Sequence, residues 1–532
     1  MTHDALIDRR LEFHDRHQLE LKLSYLIPPS AAQHRYVVEL FMFVPRELGI
    51  DEHTYTAQRF YGDMAAFLRV KTPTMSLERF ASESEALDWF CKPPDKGQGG
   101  EEEGQALSRR LKHLGCLYRE ASREAMREVL DRVEALPSGV AEVDAPEADV
   151  AEVERAESAL AEAMQAFLGR LEEAVERLRR FGNECVGAAQ DEDRVRQSWA
   201  AVDEYSALVT EDACTTILHA LDTRSERESA CSLRLREAQR LMAAYAHAQV
   251  VYRKSRGFIS VVKPGKENEH FPYHRRVLKR SVRSVLYFKI RQNDAQIRMT
   301  SDLIGMVAAA IAMLFAVTAS LWVQVAWSNT WPFVIAMVVS YMIKDRLKEW
   351  GRHYLGRRAR RWMPDMVSDI QDMRGETIGK CREVVRVVDP KAVDPVVVAR
   401  RHSRHPNQVA EEGRPEVVVH YTKAVTLSTD KLDAQMEGAE GLNDIIRLNM
   451  RRICEYMDDP YEPYHQVKPG AARLRTIQCA RVYHVNIVLR LSEGVGQGAV
   501  ISEEPIRVVL DQAGIRRVVF LDAQRRSRAG NA

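Results

Sequence analysis

The chain has 532 residues, and 77 lysine and arginine side chains against 76 aspartates and glutamates leave a formal net charge of +1. A chain of this length holds two or three soluble domains, and its balanced charge argues against a nucleic-acid partner, because no overall positive field attracts a polyanion. The eight cysteines form no CxxC pair, which fits neither a zinc knuckle nor a disulfide framework and is typical of reduced thiols in a cytoplasm.

The first stretch, residues 1–98, is predicted to be a small α+β domain. Two runs rich in β-branched and aromatic residues, LELKLSYLI and YVVELFMFVP, predict a pair of strands between Gln18 and Pro45. Helices are predicted to follow over about Tyr55–Val70 and Leu77–Cys91. The N-terminus is charged and lacks the apolar segment of a cleavable signal, so we expect membrane insertion to depend on an internal segment.

Residues 105–256 are predicted to form a long helical region. Apolar residues recur at spacings of three and four, as in the series Leu107, Leu111, Leu114 and Tyr118. We expect three or four long helices, with breaks near LPSGVAEVDAP and FGNECVGAAQDED, packed as a bundle or a coiled-coil-like hairpin. The apolar stripes do not keep a strict heptad, so a regular coiled coil is not predicted.

A linker and a basic juxtamembrane helix are predicted over 257–302. Leu278 and Val282 oppose a cationic face that is formed by Arg276, Lys279, Arg280 and Arg283. Such a helix can lie on anionic lipid headgroups, where each cation near the surface contributes on the order of 1 kcal/mol. The alternative is a solvated stalk that extends the membrane helix and whose cations only report orientation.

The stretch 303–343 contains no charged side chain and is apolar around its whole circumference, which predicts membrane helix. At about 1.5 Å per residue it covers about 60 Å, or about two hydrocarbon thicknesses. We therefore predict a two-span transmembrane helical hairpin with its turn near 324–332, where Ser328, Asn329 and Pro332 interrupt the run. Small residues such as Ala308 and Ala312 would allow the two helices to pack closely.

Aromatic and basic residues at the ends of this stretch predict its interfaces and orientation. Trp322, Trp327 and Trp331 are placed to form an aromatic belt at the headgroup level. The preceding flank is basic, and so is the following one, with Lys344, Arg346, Arg357 and Arg358. Both termini are therefore predicted to be cytoplasmic in a multi-pass protein of the inner or plasma membrane. Because the apolar part of the second span is short, the alternative is a single span followed by an interfacial segment.

The composition then changes from a basic helical segment, 344–380, to short runs of β-branched residues. EVVRVV, PVVVARR, EVVVHYTKAVTL, ARVYHVNIVLRL, PIRVVL and IRRVVFLD predict strands, and a helix is predicted near Leu442–Met457. This pattern indicates a mainly antiparallel α+β C-terminal domain over 381–522 and a disordered tail over 523–532. The overall prediction is a multidomain α+β membrane protein with a long cytosolic helical region.

Several segments resemble binding motifs, and each lacks a required part. Gly494, Gly496 and Ala499 have the spacing of a dinucleotide loop, but a strand is predicted where a helix must follow. Gly265 and Lys266 resemble part of a phosphate loop, but the first glycine and the hydroxyl residue are missing. Neither motif is therefore predicted to bind a nucleotide, and no cofactor is predicted.

One acidic segment also contains a histidine and supplies the only catalytic or metal-binding candidates: Asp458, Asp459, Glu462 and His465. The alternative is a set of solvated acids at a turn. His14 and His17 are interpreted as a surface pair, because no third metal ligand lies nearby in the sequence. Cys185, beside Glu184, has no histidine partner that would make it a nucleophile.

These features favour a membrane-anchored cytoplasmic scaffold or sensor that acts through protein–protein interaction. The lipid bilayer with anionic headgroups is one predicted partner, and a protein or a second copy of the chain, bound through 105–256, is the other. One alternative is an oligomerising membrane effector that permeabilises the bilayer, and another is a membrane-tethered enzyme with its site on the C-terminal domain. The sequence leaves open whether the two terminal regions pack together.

Overall fold

The structure is a computed structural model of the chain, and it describes residues 7–13, 15–26, 33–72, 75–81, 100–136, 147–188, 192–225, 232–263, 265–293, 295–326, 331–360, 363–372, 375–401, 415–429, 441–467, 474–493 and 499–521. The chain divides into two compact units. The sheet unit consists of Met1–Arg69 and Phe288–Ala532, and the helical unit consists of Val70–Tyr287.

The described strands belong almost entirely to the sheet unit. Their bounds are β1 Ile7–Phe13, β2 Gln18–Leu26, β3 Gln33–Pro45, β4 Met64–Val70, β5 Lys289–Gln292, β6 Met366–Gln371, β7 Thr377–Val388, β8 Glu416–Ser428, β9 Gly441–Asn449, β10 Tyr461–Val467, β11 Leu474–Ala480, β12 Tyr483–Glu493, β13 Ala499–Asp511 and β14 Gly514–Phe520.

The described α-helices range from single turns to long rods. Their bounds are α1 Ala57–Asp63, α2 Leu77–Ala81, α3 Gly100–Glu134, α4 Glu147–Ala188, α5 Glu192–Ser225, α6 Leu233–Ser255, α7 His270–Arg283, α8 Ala295–Ala326, α9 Trp331–Arg360, α10 Pro395–Arg401 and α11 Arg451–Cys454. The chain is thus a mixed α+β protein with large antiparallel sheets, as the sequence predicts at this coarse level.

Strands from both ends of the chain share the same sheets. The eight-stranded sheet has the order β14-β13-β12-β3-β8-β7-β6-β5, the four-stranded sheet has the order β1-β2-β9-β4, and β10 pairs with β11. Antiparallel pairing places β3 between β12 and β8, and β2 beside β9. The question that the sequence left open is therefore answered, because the N-terminal and C-terminal regions form common sheets.

The four-stranded and eight-stranded sheets pack face to face. A cavity of only about 20 Å³ remains between them, lined by Leu19, Leu21, Leu40, Met42, Ile446, Leu448, Ile487 and Ile506. In β3 the side chains of His34, Tyr36 and Val38 are buried, and the intervening residues are more exposed. This period of two means that each strand of the large sheet has an inner face toward the sandwich and an outer face away from it.

A buried polar network lies on the inner face of the large sheet. Lys423 Nζ lies 2.6 Å from Asp444 Oδ1, and both side chains are almost fully buried. Tyr36 donates a hydrogen bond to Asp444 Oδ2 over 3.3 Å, and Tyr421 donates one to Glu383. The two sheets are thus joined by a charged pair as well as by apolar packing, because Lys423 belongs to β8 and Asp444 to β9.

The protonation of this network follows from its burial. Burial alone would lower the pKa of Lys423, but the negative charge of Asp444 raises it, so the ammonium stays protonated. Burial raises the pKa of Glu383, which favours the neutral carboxyl group. The Lys423 ammonium group therefore lies buried beside the Asp444 side chain between the two sheets.

The helical unit is organised around one continuous core. The long helices α3, α4, α5 and α6 turn their apolar stripes toward each other, and α7 adds Leu278 and Val282 to the same core. The predicted long helical region is therefore present. Because the stripes are buried within the unit itself, they are used for internal packing in the described bundle.

The helix boundary predicted near FGNECVGAAQDED is present, but it lies towards the end of that stretch. α4 continues through Gly182, Asn183 and Cys185 to Ala188, and α5 begins at Glu192. A Cβ placed on Gly182 would lie 2.3 Å from the indole ring of Trp199, which also donates a hydrogen bond to Asn183 Oδ1 over 3.2 Å. The glycine permits close approach of two helices, and the tertiary contact outweighs its low helix propensity.

The prediction of a helix near Leu442–Met457 is wrong, because most of this segment forms β9 and only Arg451–Cys454 is helical. β9 lies between β2 and β4. Nearly all of its first residues are buried, on both faces. A short run that is buried on both faces has no alternation, and periodicity alone does not separate it from a buried helix.

The run PVVVARR forms α10 and is not a strand. Asp394 Oδ1 accepts a hydrogen bond from the backbone nitrogen of Val396 over 3.0 Å, which stabilises the first turn. Val397 packs with Phe41 and Phe43 on the outer face of the large sheet. The cap and this packing outweigh the β propensity of the valines.

Two predicted helical segments are shorter than expected. The first ends at Asp63, because Met64–Val70 joins the four-stranded sheet as β4. In the segment 344–380, α9 ends at Arg360, and β6 and β7 follow as partners in the large sheet. Several predicted features lie outside the described residues: His14, residues 82–91, Trp327, Gly494, Gly496, the tail 523–532 and the side chain of Arg357.

Candidate functional site

The most distinctive surface of the sheet unit belongs to α8. Within the segment Arg298–Val325 of this helix, the most apolar window has a mean hydropathy of 2.2, and only 11% of that window is buried. Among the described residues it is the one helix that is long and apolar enough to cross a membrane. A soluble helix of this length normally hides its apolar face in a core, so an apolar and exposed helix indicates association with a membrane.

The second half of the apolar stretch forms α9, which packs along α8. Ala308 and Ala312 of α8 are buried, and a Cβ placed on Gly351 would lie 3.4 Å from the Cβ of Ala308. Small residues therefore allow the close approach of the two helices, as the sequence suggested. By length and hydropathy, however, α9 does not itself qualify as a span, because charged residues begin at Lys344.

The predicted interface residues of this helix pair are exposed where they are described, except Lys344, which is half-buried. Trp322 and Trp331 are 71% and 80% exposed at the facing ends of α8 and α9. Lys344 Nζ lies 3.6 Å from the centre of the Tyr341 ring, and Arg346 pairs with Glu349 over 3.1 Å. Arg358 is exposed. These tryptophans and cations have the chemistry of headgroup-level residues.

The basic helix α7 does not have a free apolar face. Leu278 and Val282 are buried in the core of the helical unit, where α7 packs on α3 and α5. Val282 contacts the helix α3 closely, since Cys116 Sγ lies 3.6 Å from its carbonyl oxygen. The apolar side of α7 therefore packs within the helical unit. Its cationic side remains on the surface.

Cations of α7 and α3 form one cluster, which we call the α3/α7 cluster: Arg119, Arg123, Arg275, Lys279 and Arg283. Arg275, Lys279 and Arg283 are one turn apart on α7, and Arg119 and Arg123 are one turn apart on α3. Arg119 pairs with Glu120 over 3.4 Å, and Arg275 pairs with Asp212. Arg283 Nε is buried and makes no hydrogen bond among the described residues.

The crowding of positive charge in the α3/α7 cluster affects the pKa of Lys279. Its pKa is lowered to about 8 by burial and by four guanidinium groups, those of Arg283, Arg119, Arg275 and Arg123. Part of the side chain remains in water, so an anion could reach the ammonium group. The cluster is therefore an anion-attracting surface. Arg276 and Arg280, which the sequence also selected, are exposed on the same helix.

The lowered pKa of Lys279 predicts a specific pattern of chemical labelling. We expect the reaction of Lys279 with acetic anhydride, followed by mass spectrometry, to titrate with a midpoint near the pKa of about 8. Arg283→Gln should raise that midpoint because it removes a repelling charge, whereas Arg475→Gln, which removes an exposed cation of β11, should leave it unchanged. Between about pH 8 and the ordinary lysine pKa of about 10.4, the unfolded chain binds more protons, so this group makes stability rise with pH. An unshifted midpoint in the parent protein would contradict the effect of the four guanidinium groups on Lys279.

The acidic candidates lie at the base and on the first strand of the exposed β10–β11 ribbon. Arg481 contacts Asp458 Oδ2 over 3.1 Å and Glu462 Oε2 over 2.9 Å, which neutralises much of their charge. Asp459 is exposed, and His465 Nδ1 lies 3.1 Å from Thr476 Oγ1. The structure thus brings two carboxylates to one arginine and directs the histidine elsewhere. Within the described ranges no group of three or more histidine, cysteine or carboxylate side chains could hold a metal ion.

The other motifs lie in structural settings. Strand β13 follows the segment 494–498 directly, so the helix that a dinucleotide loop requires is replaced by a strand, as predicted. Glu184 and Cys185 lie within α4, and Cys185 is buried. His17 and Gln18 donate backbone hydrogen bonds to Asp15 Oδ1 at the turn before β2.

No family model, curated protein or solved structure matches the chain. Its own geometry therefore carries the functional proposal. The sequence selected the cations of α7 but missed Arg119 and Arg123 of α3. Their spacing of four residues beside an apolar stripe is a detectable signal, but it does not show which other helix lies alongside.

Proposed function

We propose that this chain is a membrane-anchored protein whose soluble units act by binding, as a scaffold or sensor on the cytoplasmic side. The observation that supports the anchor is α8, an apolar helix of which only 11% of the most apolar window is buried. A protein that keeps such a helix in water would expose an apolar patch large enough to aggregate. A bilayer is the partner that covers an apolar helix of this length.

The finer proposal is that α8 and α9 insert together as a two-span hairpin. The packing of Gly351 against Ala308 supports a closely paired antiparallel arrangement. The second span would use Trp331 and the snorkelling side chains of Lys344 and Arg346 to reach its full length. Both soluble units would then lie in one compartment, where the α3/α7 cluster could contact anionic headgroups.

A topology experiment tests this proposal. We expect the full chain, tagged at both ends, to remain in the membrane pellet after alkaline carbonate extraction. Protease added to intact cells should reach neither tag, and protease added after permeabilisation should reach both, because basic flanks stay on the cytoplasmic side. Cleavage of one tag in intact cells would show a single span. Release of the chain by carbonate would contradict membrane anchoring altogether.

The proposed protein partner remains to be identified. Because the apolar stripes of the helical region are buried in its own bundle, an interaction through 105–256 would use the polar outer faces of these helices. Self-association is tested by multi-angle light scattering of the detergent-purified chain, in which only monomers would argue against a homo-oligomer.

A further inference from the structure

A second cationic site lies on the outer face of the large sheet, far in sequence from the α3/α7 cluster. It is a trough formed by one end of β3, β8 and β7. The cavity has a volume of about 330 Å³ and is lined by Gln33, Arg35, Thr377, Ile378, Gly379, Lys380, Arg382, Ala424, Thr426, Leu427 and Ser428. This volume falls at the lower end of the range for small-ligand pockets, about 300–1,000 Å³.

The strand register explains why a trough forms here. Arg35 of β3 lies opposite Thr426 of β8, which in turn lies opposite Lys380 of β7. Arg382 lies opposite Ala424. Residues that face each other across neighbouring strands share one face of the sheet. The long cations of β3 and β7 therefore form two walls, one on each side of β8, and the short side chains of Ala424 and Thr426 on β8 form the floor.

The charge in the trough is not balanced by contacts within the described part of the chain. Arg35, Lys380 and Arg382 make no ion pair with a described carboxylate. A carboxylate on the neighbouring strand is that of Asp369 of β6, which lies opposite Lys380. Asp369 Oδ2 instead accepts a hydrogen bond from Asn293 Nδ2 over 2.7 Å.

Another arginine on the same outer face shows the contrast. Arg490 donates hydrogen bonds to Asp394 over 2.8 Å and to Glu503 over 2.8 Å, and it contacts Glu39 over 3.9 Å. Arg490 is thus paired with carboxylates, unlike the three cations of the trough. The trough has three cations around a cavity and hydroxyl groups at its floor and end, which is the donor set that suits a phosphate group.

We propose that this trough binds the phosphate group of a small organic phosphate or of a phospholipid headgroup. Arg35 and Arg382 would donate from opposite walls, Lys380 would add a point charge, and Thr426 and Ser428 would donate from the hydroxyl groups. The site is independent of membrane insertion, so it stands or falls separately from the proposed anchor.

Calorimetric titration of the full chain in a non-ionic detergent tests the trough. Inorganic phosphate, pyrophosphate and ADP are titrated in turn, and we expect saturable binding of at least one. Lys380→Ala and Arg382→Ala should each lower the affinity by about tenfold, the usual loss for one charge-assisted hydrogen bond. Arg475→Ala, which removes an exposed cation on the β10–β11 ribbon, is the matched control and should leave affinity unchanged.

A parallel titration identifies the source of the phosphate. Dioctanoyl phosphatidic acid is compared with dioctanoyl phosphatidylcholine, whose choline group neutralises the headgroup. Binding of phosphatidic acid without binding of ADP or pyrophosphate would assign the trough to a lipid headgroup, and the reverse would assign it to a soluble phosphate. No saturable binding of any probe, or equal binding by the parent and by both single variants, would overturn the proposal.

Discussion

Replacing Lys423 with methionine is expected to destabilise the sheet unit by about 3–5 kcal/mol, the typical effect of leaving one partner of a buried ion pair without its counter-charge. Asp444 would remain fully buried beside an apolar side chain, with Tyr36 as its remaining donor. For a unit of this size the thermal transition should fall by on the order of 10 °C. Differential scanning fluorimetry of the detergent-purified chain measures the change.

Two further variants separate the ion pair from general disruption. Lys391→Met removes a lysine from an exposed turn and should leave the transition unchanged. Lys423→Met combined with Asp444→Leu should recover much of the lost stability, because replacing both charges with apolar groups removes the uncompensated carboxylate. If Lys423→Met alone matches the parent protein, the pair does not hold the two sheets together.

Placing an arginine at Leu314 is expected to reduce the ratio of inserted to non-inserted chain by about 100-fold, because an arginine at the centre of a spanning helix costs about 2.5–3.5 kcal/mol. Leu314 lies near the middle of α8 and is 67% exposed. The measurement is the distribution between membrane and supernatant after carbonate extraction, with the parent protein alongside.

The matched control is Leu233→Arg, which changes a leucine that is 84% exposed on the helical unit. It should leave the distribution unchanged, because that leucine lies outside the apolar stretch. Full retention of Leu314→Arg in the membrane would mean that Leu314 does not face lipid and that the helix is covered by protein.

The apolar stretch and the long helices are predictable because their signals are local. No charge occurs between residues 303 and 343, and the stripes of α3 to α6 repeat over many turns. The small residues Ala308 and Ala312 are also recognisable, whereas Gly351, which packs against Ala308, lies outside the apolar stretch. Hydropathy and periodicity are properties of neighbouring residues, so they can be read from the sequence without knowledge of the fold.

The errors occur where a distant partner decides the structure. β9 is predicted as a helix but pairs with β2 and β4 at its two edges, and α4 extends past Gly182 because Trp199 packs against that glycine. The trough is not predictable from the sequence for the same reason. Arg35 and Lys380 lie in different parts of the sequence. They lie on opposite walls of one cavity because each pairs with Thr426 of β8, from β3 and from β7.

The sharing of sheets between the two ends of the chain has a consequence for biosynthesis. Ser24 of β2 donates a hydrogen bond to Asn443 of β9, a residue 419 positions later. At about 5–20 residues per second, the ribosome needs about 20–80 s to make that distance. β3 and the second edge of β2 must wait for their later partners, β8 and β9, while α8 and α9 have already left the ribosome. Nascent β2 and β3 therefore expose unpaired strand edges during synthesis.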